Sequence, residues 1–228
     1  MSLLSADDRA ILKQQFATMT RRVRLLFFTQ AIGCEPCLPT RQILDALVEL
    51  SDRLDVEERN PLLDHDDAQR YGIEWAPSIV PLWLDDEGQP HDSRLRIVGM
   101  PTGFEFVALI KAITVAGGSP LTLSPDSQRA AADVQEPLTL TVFSTPSCPH
   151  CPGAAALAFE LAAAGPQITA TSIEATSFPD VVRRFHITGV PKTISSAGAD
   201  ILGVHPEGLF VEQVLAGATL SADGTVTG

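Results

Sequence analysis

Residues 144–152 read Ser-Thr-Pro-Ser-Cys-Pro-His-Cys-Pro, and the motif inside this segment recurs at residues 34–37 as Cys-Glu-Pro-Cys. All four cysteines of the chain lie in these two Cys-x-x-Cys pairs. Such pairs either hold one zinc ion together or form separate redox-active dithiols. Zinc ribbons place their pairs about 15–20 residues apart. Because residues 38–147 separate the two pairs here, the spacing favours two dithiol sites.

An internal repeat supports this interpretation. A shift of 114 residues (148 − 34) brings both cysteine pairs into register and places Pro77 on Pro191. Around these prolines, residues 70–77, Arg-Tyr-Gly-Ile-Glu-Trp-Ala-Pro, align without a gap with residues 184–191, Arg-Phe-His-Ile-Thr-Gly-Val-Pro. Self-similarity at a fixed period indicates a duplicated structural unit.

Each copy has the same order of predicted elements, namely strand, helix, strand, helix, strand, strand and helix. This order is typical of a compact α/β unit. The Gly-Gly-Ser-Pro sequence at 117–120 is the best candidate for a linker. We therefore predict two domains, which comprise residues 1–118 with the Cys-Glu-Pro-Cys motif and residues 119–228 with the Cys-Pro-His-Cys motif.

In a Cys-x-x-Cys pair at a helix start, the two thiols have different roles in the reaction. The first sulfur lies beside unpaired backbone amides and the positive end of the helix dipole, which lowers the pKa of that thiol. We therefore expect Cys34 and Cys148 to be the exposed nucleophiles. Cys37 and Cys151 follow about one turn later, and we expect them to be buried thiols that resolve a mixed disulfide.

The residues between the cysteines are expected to tune the two sites differently. Pro36 and Pro149 suit a first helical turn, where the amide needs no partner. Glu35 places a negative charge beside the first pair and opposes ionisation, whereas His150 can stabilise a thiolate in the second. A more stable thiolate makes a disulfide more oxidising, so the second site should have the less negative reduction potential, by roughly tens of millivolts.

Two features of each copy resemble the thioredoxin fold: a Cys-x-x-Cys that opens a helix, and a proline 40 residues after the second cysteine (77 − 37 and 191 − 151). Two such units in one chain are similar to the protein disulfide oxidoreductase family of thermophilic prokaryotes, also called glutaredoxin-like. Residues 144–152 and residues 99–106, Gly-Met-Pro-Thr-Gly-Phe-Glu-Phe, are close to that family's pattern. The resemblance implies two tandem thioredoxin-like α/β domains, each a central mixed sheet flanked by helices.

The resemblance also implies an activity. Members of the family reduce, form or isomerise protein disulfides through mixed-disulfide intermediates, sometimes with electrons from a thioredoxin reductase. In the thioredoxin fold the proline is cis, and the residue before it pairs its backbone with the substrate. This assigns substrate binding to Ala76, Pro77, Val190 and Pro191. The redox-active disulfides themselves take the place of a cofactor, and the chain has no glycine-rich nucleotide motif.

One feature departs from the thioredoxin pattern. Thioredoxins carry a buried aspartate six residues before the first cysteine, where this chain has Phe28 and Val142. The usual proton acceptor for the resolving thiol is therefore missing. Glu58 and Glu174 fall in the neighbouring strand of each copy and are candidate substitutes, although a solvated acid is the more common role of such residues.

Composition narrows the range of partners and compartments. The net charge of −12 and a pI near 4.7 disfavour nucleic acid and anionic membrane surfaces as partners. The first residues, Met-Ser-Leu-Leu-Ser-Ala-Asp-Asp, have neither the basic leader nor the apolar core of a signal peptide. We therefore expect a cytoplasmic protein, in which paired cysteines are usually redox-active or metal-bound.

Three alternatives remain beside a general protein disulfide oxidoreductase. One is a dithiol carrier that passes electrons to a peroxiredoxin. Another is a scaffold that holds zinc with four thiolates, which predicts loss of folding on chelation. The last is a binding scaffold without thiol chemistry, against which the intact motif in each copy argues.

Overall fold

Two units with a similar order of elements make up residues 3–221, which a computed structural model describes, and the first unit has one additional strand. By spatial proximity the first unit runs to Pro101 and includes Leu109–Pro120. The second unit comprises Thr102–Ala108 and the residues from Leu121 onward. The predicted boundary after residue 118 lies two residues before the division at Pro120, but the sequence did not indicate that residues 102–108 group with the second unit.

The first unit contains four helices and five strands. They are α1 (Ala6–Ala17), β1 (Arg22–Phe28), α2 (Cys37–Val48), β2 (Leu54–Arg59), α3 (His65–Tyr71), β3 (Ser78–Leu84), β4 (Pro90–Asp92), β5 (Leu95–Val98) and α4 (Phe104–Ala116), whose first residues group with the second unit. The strands lie in the order β2-β1-β3-β5, and β4 pairs with β3. Strand β1 is parallel to β2 and antiparallel to β3, so the sheet is mixed.

The second unit repeats this plan. Its elements are α5 (Pro125–Ala132), β6 (Leu138–Ser144), α6 (Cys151–Ala164), β7 (Ile168–Glu174), a short 3₁₀ turn (Ala175–Ser177), α7 (Pro179–Arg184), β8 (Lys192–Ser195), β9 (Asp200–Leu202) and α8 (Glu207–Leu215). The strand order is β7-β6-β8-β9, with β6 parallel to β7 and antiparallel to β8. The α/β fold class and the mixed sheets predicted from the sequence are confirmed.

The central strands form the core of each sheet because they are apolar on both faces. In β1 the sequence Arg-Val-Arg-Leu-Leu-Phe-Phe places Leu25, Phe27 and Phe28 beyond the reach of solvent. Leu140, Val142 and Phe143 are equally buried in β6. A strand covered on both faces reads as a continuous apolar run, which is why the sequence indicated these strands clearly.

A stacked group of side chains closes the end of β3 in the first unit. The indole of Trp83 stacks on His91 of β4, with ring centroids 4.1 Å apart, and the guanidinium of Arg21 lies 4.6 Å from the Trp83 centroid. His91 is hydrogen-bonded in turn to Asp85, at 2.7 Å. These contacts hold together the turn between β3 and β4.

A buried carboxylate anchors the start of the second unit. Glu160 on α6 is 1% exposed. Its Oε2 accepts hydrogen bonds from the backbone N–H of Thr122 and of Leu123, each at 2.9 Å, and its Oε1 accepts one from the Thr122 hydroxyl. A buried carboxylate is tolerated where several donors surround it. Glu160 therefore fixes the segment that enters α5.

We expect Glu160→Ala to lower the free energy of unfolding by about 1–3 kcal/mol, because it leaves buried N–H donors without an acceptor. Urea unfolding followed by far-ultraviolet circular dichroism measures the change. Glu212→Ala is the matched control, since Glu212 is an exposed glutamate on α8, and it should leave the midpoint unchanged. Equal midpoints for both variants would contradict the anchoring role of Glu160.

Candidate active sites

Strand register brings three loops to one edge of the first sheet. Phe28, the last residue of β1, pairs with Arg59 at the end of β2 and with Ser78 at the start of β3. The loops that follow β1 and β2 and the loop that precedes β3 therefore lie at the same edge. The first of these loops carries Cys34, and the last carries the Ala76–Pro77 peptide bond, which is cis as expected.

The first Cys-x-x-Cys pair forms a disulfide at this edge. Its Cα atoms are 5.4 Å apart, and the backbone N–H of Cys37 donates to the carbonyl of Cys34 at 3.3 Å. Helix α2 begins at Cys37, with Pro36 as its N-cap residue. Cys37 is 3% exposed, whereas Cys34 is only partly buried. The expected difference in exposure is therefore present in the first unit.

The second pair repeats this geometry. Cys148 and Cys151 form a disulfide with Cα atoms 5.5 Å apart, α6 begins at Cys151, and the Val190–Pro191 bond is cis. The pairing is equivalent, because Phe143 of β6 pairs with Ile173 of β7 and with Lys192 of β8, as Phe28 pairs with Arg59 and Ser78.

The expectation that Cys148 is exposed is wrong, since it is 7% exposed against 2% for Cys151. The loop before Cys148 packs against residues from the start of α4. The backbone N–H of Phe104 donates to the Pro146 carbonyl at 2.9 Å, and a Cβ on Gly103 would clash with the same carbonyl. Gly103 also has a positive φ of 56°, so glycine is required there on both counts.

Pro36 is the N-cap residue of α2 and Pro149 directly precedes the N-cap residue of α6, so neither lies in the first helical turn that the sequence predicted. Glu35, Pro149 and His150 are exposed, and Pro36 is partly buried. His150 is the N-cap residue of α6, and its side chain makes no capping hydrogen bond. The difference in reduction potential between the sites stays a prediction.

Of the two carboxylates considered as proton acceptors, Glu58 and Glu174, only one is buried. Glu58 is half exposed and accepts a hydrogen bond from Arg41 at 2.6 Å. Glu174 is 4% exposed and accepts hydrogen bonds from the backbone N–H of Thr176 at 2.8 Å and of Ser177 at 3.0 Å. The common role of a solvated acid therefore describes Glu58 and fails for Glu174.

The sequence reasoning missed a second buried carboxylate, Glu105. It lies in the first turn of α4, is 3% exposed, and its Oε1 has no hydrogen-bond partner. Burial raises its pKa from the ordinary 4.5 to about 7; a hydrogen bond with Ser144 opposes the rise and the charge of Glu174 adds to it. The only signal in the sequence is an acid between two phenylalanines, in Phe-Glu-Phe at 104–106.

These groups form a polar cluster at the second site. Ser144 ends β6 four residues before Cys148, and its hydroxyl lies 3.4 Å from that of Ser172. Glu105 and Glu174 flank the same serine. Burial of Glu105 disfavours its ionised form, and the negative charge of Glu174 adds to this effect.

The first unit has an apolar cluster beside β1, and the 114-residue shift places Asn60 where the second unit has Glu174. Leu26, Phe28, Tyr71, Ile73 and Val80 pack together as part of one buried group. The rings of Phe28 and Tyr71 meet edge to face, with centroids 6.5 Å apart. The environments of the two disulfides therefore differ although their backbone geometry is the same.

A buried arginine positions the cis-proline loop of the first unit. Arg96 is 6% exposed, its Nε donates to the Tyr71 carbonyl at 2.8 Å, and its two terminal nitrogens donate to Asp92 at 2.8 and 2.7 Å. Tyr71 ends α3, and residues 72–77 follow directly. The Arg96 fork thus ties the start of this loop to β5.

Neither a metal centre nor a membrane span is apparent within residues 3–221. No cluster of three or more His, Cys, Asp or Glu side chains there is arranged to hold a metal ion, so the four-thiolate arrangement of the zinc hypothesis is not found among them. No helix in that range is long and apolar enough to cross a membrane.

Solved structures of two other proteins share this tandem fold. The chain is 23% identical to the N-terminal domain (NTD_N/C) of the alkyl hydroperoxide reductase AhpF from Enterococcus faecalis, with a TM-score of 0.84 over 92% of this chain and 99% of that one. It is 25% identical to a protein disulfide oxidoreductase from Aeropyrum pernix, with a TM-score of 0.81 over 94% and 93% of the two chains.

Curated relatives give a similar result at the level of sequence. The alkyl hydroperoxide reductase AhpF of Xanthomonas campestris pv. phaseoli is 28% identical over 149 residues, which are 65% of this chain and 25% of that protein. The AhpF of Pseudomonas putida is 27% identical over 186 residues, or 80% and 32%. The chain thus spans a quarter to a third of these relatives. No protein-family profile matches it.

Together, the tandem fold and the two Cys-x-x-Cys disulfides define the chain as a thioredoxin-like thiol–disulfide oxidoreductase. Within that class it is similar over nearly its whole length to the protein disulfide oxidoreductase of A. pernix.

The raised pKa of Glu105 predicts a pH-dependent stability. Glu105 keeps its proton to about pH 7 when folded, whereas the unfolded chain releases it near its ordinary pKa of about 4.3. The contribution of Glu105 to the free energy of unfolding is therefore complete below the unfolded pKa of about 4.3, and it is lost as the pH rises to 7. Relative to Glu105→Gln, the wild type should lose roughly 3 kcal/mol between pH 4 and pH 8.

Urea unfolding of both proteins across this pH range measures the difference. Glu58→Gln is the matched control, because Glu58 is half exposed, and its difference from the wild type should vary far less. A constant difference between the wild type and Glu105→Gln would contradict the raised pKa.

Proposed function

We propose that the chain catalyses thiol–disulfide exchange on protein substrates, with the second site as the principal reductase. In the reducing direction, the thiolate of Cys34 or Cys148 attacks a substrate disulfide and releases one substrate thiol. Cys37 or Cys151 then attacks the resulting mixed disulfide and releases the second thiol. Two electrons pass to the substrate, and the chain is left with the disulfide present in the structure.

One observation carries this proposal: each disulfide lies at a helix start, at the sheet edge that also carries a cis-proline loop. The resemblance to the thioredoxin fold implies that the residue before this proline pairs its backbone with an extended substrate strand. Ala76 and Val190 take this position, and Pro77 and Pro191 shape the loop. The disulfides serve in place of a bound cofactor.

The buried carboxyls support the assignment of the second site as principal. When the resolving thiol attacks, its proton needs an acceptor, and a group with a pKa near the working pH transfers it best. Glu105, with a pKa of about 7, lies beside the strand that leads into Cys148. In this role Glu105 accepts the proton of the resolving thiol, in place of the aspartate that is absent at Val142.

Insulin reduction by dithiothreitol, followed as turbidity, tests the proposal. The wild type should accelerate precipitation, Cys148→Ser should lose most of this acceleration, and Cys34→Ser should keep most of it. Positioned proton acceptors contribute about 100-fold or more to rate, so Glu105→Gln should slow the reaction and remove its pH dependence near 7.

Loss of activity in Cys34→Ser alone would reverse the ranking of the two sites. If neither the wild type nor any variant precipitates insulin faster than dithiothreitol alone does, general disulfide reduction is refuted. Pro149→Ala is the control for a local disturbance of the second site, because it keeps both cysteines. It should shift the reduction potential of that site without abolishing thiol–disulfide exchange.

A second candidate function is a dithiol carrier to a peroxide-reducing enzyme. Its support is the similarity to the AhpF proteins, whose name, alkyl hydroperoxide reductase, states a peroxide substrate. In this role a thioredoxin reductase supplies electrons, and a peroxiredoxin receives them from the dithiol. Both remain proposed partners, together with protein disulfide substrates.

A coupled assay distinguishes the carrier from the general reductase. NADPH, a thioredoxin reductase, this chain and a peroxiredoxin are mixed with an alkyl hydroperoxide, and NADPH oxidation is followed. The carrier role predicts turnover that needs every component and fails in the Cys148→Ser/Cys151→Ser variant. Turnover with insulin but none with peroxide would leave only the general reductase.

A further inference from the structure

The four most exposed large apolar side chains among residues 3–221 all belong to the first unit. Ile32 is 89% exposed, Leu63 83%, Leu62 77% and Leu38 67%. Single exposed apolar side chains are ordinary, but a group of them on one part of a surface marks an interaction site.

Three of these residues lie on loops at the sheet edge that carries the first disulfide, and Leu38 lies in the first turn of α2. Ile32 precedes Cys34 by two residues, and Leu38 directly follows Cys37. Leu62 and Leu63 follow β2, and β2 ends at the same sheet edge as β1. We call these four side chains the apolar rim.

The loop that carries the two rim leucines is ordered by its own polar side chains. The Asn60 side-chain oxygen accepts a hydrogen bond from the Leu62 N–H at 2.9 Å. The Asp64 carboxylate accepts one from the Asn60 N–H at 2.7 Å. A turn stabilised by side-chain hydrogen bonds therefore holds Leu62 and Leu63 in exposed positions.

The fold itself does not require the apolar rim. The 114-residue shift places Ile32 on Pro146, Leu38 on Pro152, and the two leucines on Thr176 and Ser177. The second unit thus builds the same fold with small or polar residues at these positions. The second unit also exposes apolar side chains, such as Leu202 at 58% and Val204 at 51%, but at other positions and to a smaller extent.

A groove of about 450 Å³ adjoins the rim within the first unit. Its apolar lining comes from Pro61, Leu62, Ala68 and Ile73, and Glu74 contributes a carboxylate. No lysine or arginine lines it. This volume is in the range that accepts large side chains or small ligands.

The titratable side chains that line the groove are one carboxylate, Glu74, and one imidazole, His65. Glu74 borders the groove itself, and Glu35 is exposed beside Cys34. The whole chain carries a net charge of −12. A bound segment that places cations near these carboxylates gains electrostatic attraction, whereas an acidic segment is repelled.

We propose that the first disulfide selects extended polypeptide segments in which apolar side chains alternate with lysine or arginine. Apolar side chains of the segment enter the groove and cover the rim, cations face Glu74 and Glu35, and the backbone pairs at Ala76. This inference rests on the proposed thiol–disulfide exchange and assigns its substrate class at one site. Segments with exposed apolar residues are characteristic of incompletely folded proteins.

The test uses the full chain with Cys148→Ser/Cys151→Ser, so that only the first site reacts. Two short peptides each carry one cysteine as a mixed disulfide with 5-thio-2-nitrobenzoate. One peptide has leucine, phenylalanine and lysine around the cysteine, and the other has serine and glutamate. The reduced Cys34 thiolate attacks, the coloured thiolate leaves, and Cys37 then releases the peptide thiol as the disulfide forms.

The decisive variant places the residues of the second unit on the first: Leu62→Thr, Leu63→Ser and Glu74→Thr together. It should lower the second-order rate constant for the apolar cationic peptide about tenfold, because two leucine contacts and one charge contact are lost. The rate with hydroxyethyl disulfide, which is too small to reach the groove, should not change.

Ile11→Thr is the matched control. Ile11 lies on α1 and is 54% exposed, so this variant tests whether any loss of exposed apolar surface has the same effect. The rate of the Ile11→Thr variant with the apolar cationic peptide should equal that of the wild type. Glu74→Gln alone should lower the rate with the apolar cationic peptide and weaken its dependence on salt.

The outcomes separate the two proposals. Equal rates with both peptides, or no change in the triple variant, would overturn the substrate class while exchange itself stands. No reaction with either peptide or with hydroxyethyl disulfide would refute thiol–disulfide exchange at this site, and the inference with it. A faster reaction with the serine and glutamate peptide would contradict the proposed preference for apolar and cationic segments.

Discussion

The pairing of one central strand with a parallel and an antiparallel neighbour is the constraint on which each site depends. In the first unit this pairing brings the ends of β1 and β2 and the start of β3 to one edge. The cysteine loop and the cis-proline loop are distant in sequence, and only the register joins them. Because β6, β7 and β8 repeat the register, the second unit obtains the same site by the same means.

The fold and the disulfides could be predicted because their signals are local or repeated. Buried strands read as apolar runs, and the motif together with its proline at a fixed distance marks the site in both copies. The burial of Cys148 and of Glu105 could not be found in this way. The loop before Cys148 meets the start of α4, which carries Glu105, where Phe104 contacts Pro146, and this tertiary contact across 42 residues (146 − 104) has no counterpart in the local pattern.

Duplication has left the backbone of the two sites alike and their surroundings different. An apolar cluster packs between β1, β3 and the end of α3 in the first unit, and hydrophobic burial stabilises it without any need for polar partners. In the second unit Glu105 and Glu174 are buried near the end of β6, which costs stability, and burial raises the pKa of Glu105 to about 7. The four most exposed large apolar side chains among residues 3–221 lie in the first unit.

The position of the tryptophans has a consequence for spectroscopy. The chain contains two, Trp75 beside the first cis-proline and Trp83 in the stack with His91, and both belong to the first unit. Intrinsic tryptophan emission therefore reports on that unit alone. A redox titration followed only by this signal would return one midpoint from a protein that has two disulfides, and the second would need a label or a thiol count to become visible.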